Sequence, residues 1–166
     1  MLGFVVTDAA VDPEDLQSVL EDVNVRTFNA ITVDGDMSTN DTLILQATGQ
    51  GPAITPQSPE WPEFVAGVHA VCQELARAIA RDGEGATHLI TVEIEGLDSD
   101  DSARRAARAV CRSPLVKTAI AGRDANWGRI VGALGAAMVP DLDVLDLDDV
   151  AEYSEFVGEI DGDLLC

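Results

Sequence analysis

SPEWPEFVAGVHAVCQELARAIARDGEGATHLITVEIEG, residues 58–96, sets the fold class. Ser58, Pro59 and Glu60 are helix-start residues. Phe64, Val65, Val68, Val71, Cys72, Leu75 and Ile79 then keep helical spacing for five turns. The run is expected to stop at DGEG, residues 82–85, where glycine supplies a left-handed cap. THLITVEIE, residues 87–95, follows as an apolar strand. A one-faced helix feeding an apolar strand is the repeating unit of an α/β fold.

The same alternation extends in both directions. Residues 2–7 read as a buried strand, by apolar run and length. Asp12 then caps a helix, with Pro13 at its first position and Glu14 and Asp15 in its first turn. Leu16, Val19, Leu20 and Val23 share one face of that helix. Residues 29–42 are polar and turn-rich, and 43–48 read as a strand. Residues 49–60 form a loop. Downstream, Asp98 to Asp101 begin another helix, whose later turns carry Arg104, Arg105, Arg108 and Arg112 in accord with the helix dipole. A turn at Ser113–Pro114 is followed by a helix from about Asp124, with Trp127, Ile130, Val131 and Leu134 inward. From Pro140 the tail alternates apolar and acidic residues, with one expected strand at 142–147. No internal repeat is visible, and residues 1–166 read as a single domain.

Composition narrows the function classes. The hydrophobic fraction of 46% argues against disorder. No run approaches the roughly 18–20 apolar residues of a membrane span, and Met1 is not followed by a signal-peptide pattern. A soluble, cytoplasmic protein is expected. Thirty acidic residues face ten basic ones, for a net charge of −20 and a pI near 4.1. Nine of the ten cations are arginine, and Lys117 is the only lysine. Such a field repels nucleic acid and anionic membranes. It suits a chain kept soluble in concentrated salt, so a halophilic source is expected. The three cysteines, Cys72, Cys111 and Cys166, include no CxxC pair, and a disulfide framework is not expected.

Four places could carry chemistry. DGDMSTNDT, residues 34–42, is the densest oxygen cluster. Asp34, Asp36, Ser38 and Asn40 imitate the start of a calcium loop, but Thr39 stands where glycine belongs and Leu45 where glutamate belongs. The competing readings are a turn whose side chains bond the backbone and an active-site wall. His69 and Cys72 lie one helical turn apart without a second ligand pair, so Cys72 reads as core. His88 opens a strand and has no obvious catalytic partner in the sequence. Glu84 sits between two glycines, where little bulk would keep a small amine from its carboxylate. Finally, residues 116–129 gather Lys117, Arg123, Asp124, Asn126, Trp127 and Arg129. Asp124 could be a helix cap and the arginines solvated surface charges, or the group could be a site.

MLGFVVTDA, TFNAITVDGDMSTNDT, DGEGATHLITVEIEG and SPLVKTAIAGRDANWGRI occur in that order. Together they resemble the β chain of ornithine acetyltransferase, also called glutamate N-acetyltransferase, of the arginine pathway. The resemblance runs from residue 1 to about residue 135. It implies a layered α/β mixed-sheet fold of the self-processing aminopeptidase and ornithine acetyltransferase type. It implies a precursor that cuts itself between Ala and Thr, so that the Thr, expected just before Met1, becomes the N-terminal nucleophile. Acetyl would pass from N-acetylornithine to that Thr and then to glutamate, by ping-pong exchange, without metal or cofactor. Acetyl-coenzyme A is a further donor for some members. The partner implied is the α chain of the same precursor, which carries the oxyanion hole, and the assembly is expected to be a hetero-oligomer.

Among the residues present, Glu84 matches the family's substrate-contacting glutamate. Asp34, Asn40, Asp41, Lys117, Arg123, Asp124 and Asn126 fall in family hallmarks and are expected as scaffold near the site. His88 departs from the family's usual lysine. Residues 140–166 do not resemble the family's substrate-binding C-terminal segment and read as divergent or truncated. The polypeptide alone is therefore expected to be inactive. The alternatives are a non-catalytic relic or small-molecule-binding domain of the same fold, or an aminopeptidase of the same superfamily. The four motifs favour the acetyltransferase.

Overall fold

The structure is a computed structural model, and it describes residues 1–137. The strand expected at 142–147 and the divergent tail at 140–166 lie outside the described residues. Contacts divide the chain into two compact units. The first holds Met1–Ile31 and Asp36–Ile79; the second holds Thr32–Gly35 and the chain from Ala80 onward.

In the first unit, β1 (Leu2–Thr7), α1 (Pro13–Arg26) and β2 (Thr42–Ala47) form a strand–helix–strand unit. The strands pair in parallel from Leu2↔Thr42 to Thr7↔Ala47. Parallel pairing requires a crossover between the strands, which α1 and the short 3₁₀ turn Phe28–Ala30 supply. The start of α1 follows from its sequence. Pro13 occupies the first turn, where its missing N–H costs nothing, and the Asp12 side chain accepts from the Glu14 N–H at 3.0 Å. Helix α2 (Trp61–Arg81) completes the unit.

The first core joins one sheet face to two helix faces. Val5 and Leu45 pack with Val19 and Val23 of α1 and with Val68, Cys72 and Ala76 of α2. Cys72 is fully enclosed, and burial pushes its thiol pKa up, so it serves as a small apolar side chain.

Two expectations need correction here. Strand β1 is buried on one face only, since Leu2, Phe4 and Val6 are each more than 60% exposed. Successive strand side chains point to opposite faces, and α1 and α2 cover just one of them. On α2, Val71 and Leu75 lie outside the core although they share its helical spacing. The apolar stripe is wider than the surface that packs on it.

The second unit is built on α3 (Asp100–Arg112), α4 (Pro114–Ala121) and α5 (Trp127–Ala136). Ala106, Val110, Val116 and Leu134 are its buried centre, and Val92, Ile94, Ile120 and Ile130 pack against them. Ser99 caps α3 by accepting from the Ser102 N–H at 3.1 Å. Residues 87–95 are not a strand, because no ladder joins them to another strand among the described residues. Their side chains still alternate, with Val92 and Ile94 on the core and Glu93 and Glu95 outside.

Helix α4 stands where the sequence suggested only a turn. Ser113 caps it by accepting from the Val116 N–H at 3.3 Å, and Pro114 is its first residue. Helix α5 begins at Trp127 rather than Asp124, and Trp127 is exposed rather than inward. Among the described residues, no helix is long and apolar enough to cross a membrane.

Candidate functional site

The residues 82–85 turn places the best candidate. Helix α2 ends at Arg81, and the Ala86 N–H donates to the Gly83 carbonyl at 3.0 Å. Gly85 has φ +71°, as the third residue of a type II turn requires. Glu84 is therefore the corner residue, exposed at the tip of the turn. Gly83 is needed for a different reason. A Cβ there would come within 2.7 Å of the Val33 side chain, which closes in on the turn.

Glu84 lines a cavity of about 210 Å³ that lies wholly within the second unit. Its polar wall is Glu84, Thr87, His88 and Lys117, and its apolar wall includes Val33, Ile90 and Ile120. That volume is below the roughly 300–1,000 Å³ of drug-sized pockets, which suits an amino-acid-sized guest. Helix α4 presents Lys117, whose Nζ donates to the Val33 carbonyl at 2.8 Å. One N–H is thus spent on holding the 32–35 segment, and two remain. The Glu84 carboxylate makes no hydrogen bond or ion pair among the described residues. Thr87 Oγ1 and His88 Nδ1 lie 2.8 Å apart. A carboxylate and an ammonium that are not paired with each other line one small space.

Two of the residues singled out in the sequence, Glu84 and Lys117, thus line one cavity. Asp34 follows Val33 in the segment that Lys117 holds. Arg123, Asp124 and Asn126 come directly after Ile120 and Ala121 of the cavity wall but do not line it. They build the α4–α5 turn instead. Arg123 takes a left-handed φ of 53°, unusual for a side chain with a Cβ. The Asp124 N–H donates to the Ala119 carbonyl at 2.9 Å, and Asn126 Nδ2 donates to Asp124 Oδ2 at 3.0 Å. Arg129 Nη1 ties α5 to α4 through the Leu115 carbonyl at 2.9 Å. His88 and Val33 were not foreseen as cavity residues. The chain folds Val33 against a turn 50 residues away, and no spacing rule reports such a contact.

Asn40 and Asp41 belong to the first unit. There residues 38–42 bond to one another. Asn40 N–H donates to Ser38 Oγ at 3.1 Å, Ser38 N–H to Asp41 Oδ2 at 3.3 Å, and Thr42 Oγ1 to the Asn40 carbonyl at 3.1 Å. This is the side-chain-to-backbone turn, not an array of oxygens converging on a cation. The Met1 amine, donating to Asp41, holds the Asp41 carboxyl below the usual carboxylate range. His69 lines a second, larger hollow of about 460 Å³ with Arg26, Trp61 and Val65. Its one formal charge, Arg26, is already paired with Asp22, so the smaller cavity has the richer chemistry. Among the described residues, no group of three or more His, Cys, Asp or Glu could hold a metal ion.

Comparison with known proteins agrees with this arrangement of motifs. The arginine biosynthesis bifunctional protein ArgJ of Halalkalibacterium halodurans is 50% identical over 137 residues, covering 81% of this chain and 33% of that protein. The ArgJ of Geobacter sulfurreducens is 52% identical over 155 residues, covering 90% of this chain and 39% of that protein. The chain therefore spans between a third and two fifths of these curated relatives. A crystal structure of ArgJ from Bacillus halodurans shares the fold with a TM-score of 0.84 and 38% identity. That match covers 97% of this chain and 84% of the crystallographic chain, so the fold is the α/β fold of ArgJ. The ArgJ family matches residues 1–156, nearly the whole sequence, and the chain belongs to that family.

Proposed function

We propose that this chain is the β part of a glutamate N-acetyltransferase that moves acetyl from N-acetylornithine to glutamate. The observation that carries the reading is the cavity in which Glu84 and Lys117 present opposite, mutually unpaired charges. Free amino acids carry both an ammonium and a carboxylate, and a small cavity with both signs complements them.

The proposed nucleophile is a Thr directly before Met1. Its hydroxyl oxygen attacks the acetyl carbonyl carbon of N-acetylornithine, and its proton passes to the α-amine of the same Thr. The C–N bond of the amide breaks, the nitrogen takes that proton, and ornithine leaves. The glutamate amine then attacks the acetyl ester, and the Thr hydroxyl is restored as N-acetylglutamate departs. Glu84 receives a substrate ammonium, and Lys117 holds the 32–35 wall of the cavity. Acetyl-coenzyme A is a second donor to be tried in the first half-reaction.

The α part of the precursor is the partner, in a hetero-oligomer. The exposed Leu2, Phe4 and Val6 face of β1 is the apolar surface it would cover. The experiment is to incubate the assembled enzyme with N-acetylornithine alone. Mass spectrometry should show one acetyl group on the Thr-led chain, released when glutamate is added. An acetyl-free chain that still turns over would defeat the acetyl-threonine mechanism.

The acidic surface fits a salt-rich cytoplasm. Raising salt from about 0.1 M to about 1 M shortens the screening length from about 10 Å to about 3 Å. With a net charge of −20, self-repulsion then weakens and the melting temperature should rise by several degrees. A flat or falling melting temperature in a KCl series would count against a halophilic origin.

A further inference from the structure

We infer that Asp41 is a positioning residue for the N-terminal nucleophile, because its carboxylate fixes the backbone nitrogen of Met1. The inference rests on the acetyl-threonine reading above. Asp41 Oδ1 accepts at 2.6 Å from the Met1 nitrogen, which is a terminal ammonium in this structure. The Met1 carbonyl accepts from the Thr42 N–H at 3.1 Å, so both backbone polar groups of Met1 are held by consecutive residues.

Asp41 is anchored in turn. Its other oxygen accepts from the Ser38 N–H at 3.3 Å, and it stands directly before β2, whose first residue pairs with Leu2. All these atoms lie within the first compact unit. The oxygen-rich segment is thereby explained as a device that ends in one aimed carboxylate.

The geometry has a consequence for whatever residue precedes Met1. Once Met1 is acylated by that residue, its nitrogen carries a single N–H, which lies in the connecting peptide plane. A carboxylate accepts from that N–H as it does from an amine. Fixing the N–H direction fixes the plane, and with it the Cα of the preceding residue. Two rotations, one about the Cα–C bond of that residue and one about its Cα–Cβ bond, with three staggered wells, then set where its hydroxyl lies. Placement of this kind matters because a misplacement of about 1 Å can cost about 100-fold in rate.

The test adds a single Thr before Met1 of the full chain and follows amide hydrogen exchange by NMR. The Met1 amide should exchange about tenfold faster in Asp41→Ala than in the parent. Asp41→Asn should fall between them, since its amide oxygen still accepts. The Val5 amide, farther along β1, should be unaffected, which separates local release from loss of the sheet. If Asp41→Ala also exposes Val5, the Asp41→Asn chain decides the matter. Equal Met1 exchange in the parent and in the variant that keeps the sheet overturns the inference.

In the assembled enzyme, Asp41→Ala should lower kcat at least tenfold with KM changed less than threefold, and Asp41→Asn should recover part of the loss. Replacing the preceding Thr by Ala distinguishes the two failures. An active Thr→Ala enzyme defeats the acetyl-threonine reading itself. A dead Thr→Ala enzyme beside an Asp41→Ala enzyme with full kcat defeats only the role of Asp41.

Discussion

Purified without its partner, the 166-residue polypeptide should make no N-acetylglutamate from N-acetylornithine and glutamate. In the proposed mechanism the attacking oxygen belongs to a Thr before Met1, and a polypeptide whose first residue is Met1 lacks it. Covalent catalysis cannot be rescued by the binding cavity alone. Deleting a nucleophile in comparable acyl-transfer enzymes costs about 10⁶ in kcat, and what remains is owed to oxyanion stabilisation and binding. In the proposed enzyme the oxyanion hole, too, would lie in the α part. The comparison to make is between the isolated chain, the chain co-produced with an upstream part ending in Ala-Thr, and the same pair with that Thr changed to Ala. Only the second should form product, and the third should fall by about 10⁴ or more. Product formation by the isolated chain at a comparable rate would sink the mechanism. A chain that stays monodisperse without the α part would further argue that the β1 face needs no cover.

Helix starts show what could be read from the sequence and what could not. Asp12–Pro13 and Ser113–Pro114 are the same signal, a capping side chain followed by proline at the first helical position. The first precedes a visible apolar stripe and reads correctly. The second precedes only eight helical residues of α4, too short for a periodicity to declare itself, and reads as a turn. Strand 87–95 fails for a different reason. Its alternation is real, but a strand exists only as a ladder, and whether a partner lies alongside is not a local property. The face of β1 left open is the same lesson in reverse, since composition cannot say that only one side is covered.

At the site, Glu84 was legible because glycines on both sides mark a turn that must expose it. The cavity was not legible. It depends on Lys117 reaching the Val33 carbonyl across 84 residues, a contact with no signature in spacing or charge pattern. The resemblance to the acetyltransferase family supplied what the local reading could not, a reason to expect Glu84 near substrate.

Replacing Glu84 by Gln in the assembled enzyme should lower kcat/KM by about 100-fold, or about 2.7 kcal/mol of transition-state binding, while leaving the fold intact. Gln keeps the size and the turn conformation, so the change removes charge alone. Stability should hold within about 0.5 kcal/mol, because the side chain is exposed and has no partner among the described residues. The loss should be larger for amino-acid substrates than for a neutral acetyl donor, since only the former present an ammonium. Gly85→Val offers a control that acts through the backbone. At φ +71° a β-branched residue is strained, so the turn must rearrange and carry Glu84 with it. That variant should lose both activity and stability, whereas Glu84→Gln loses activity alone. Unchanged kcat/KM in Glu84→Gln, for every amino-acid substrate, would remove Glu84 from the substrate site and leave its turn as a helix terminator only.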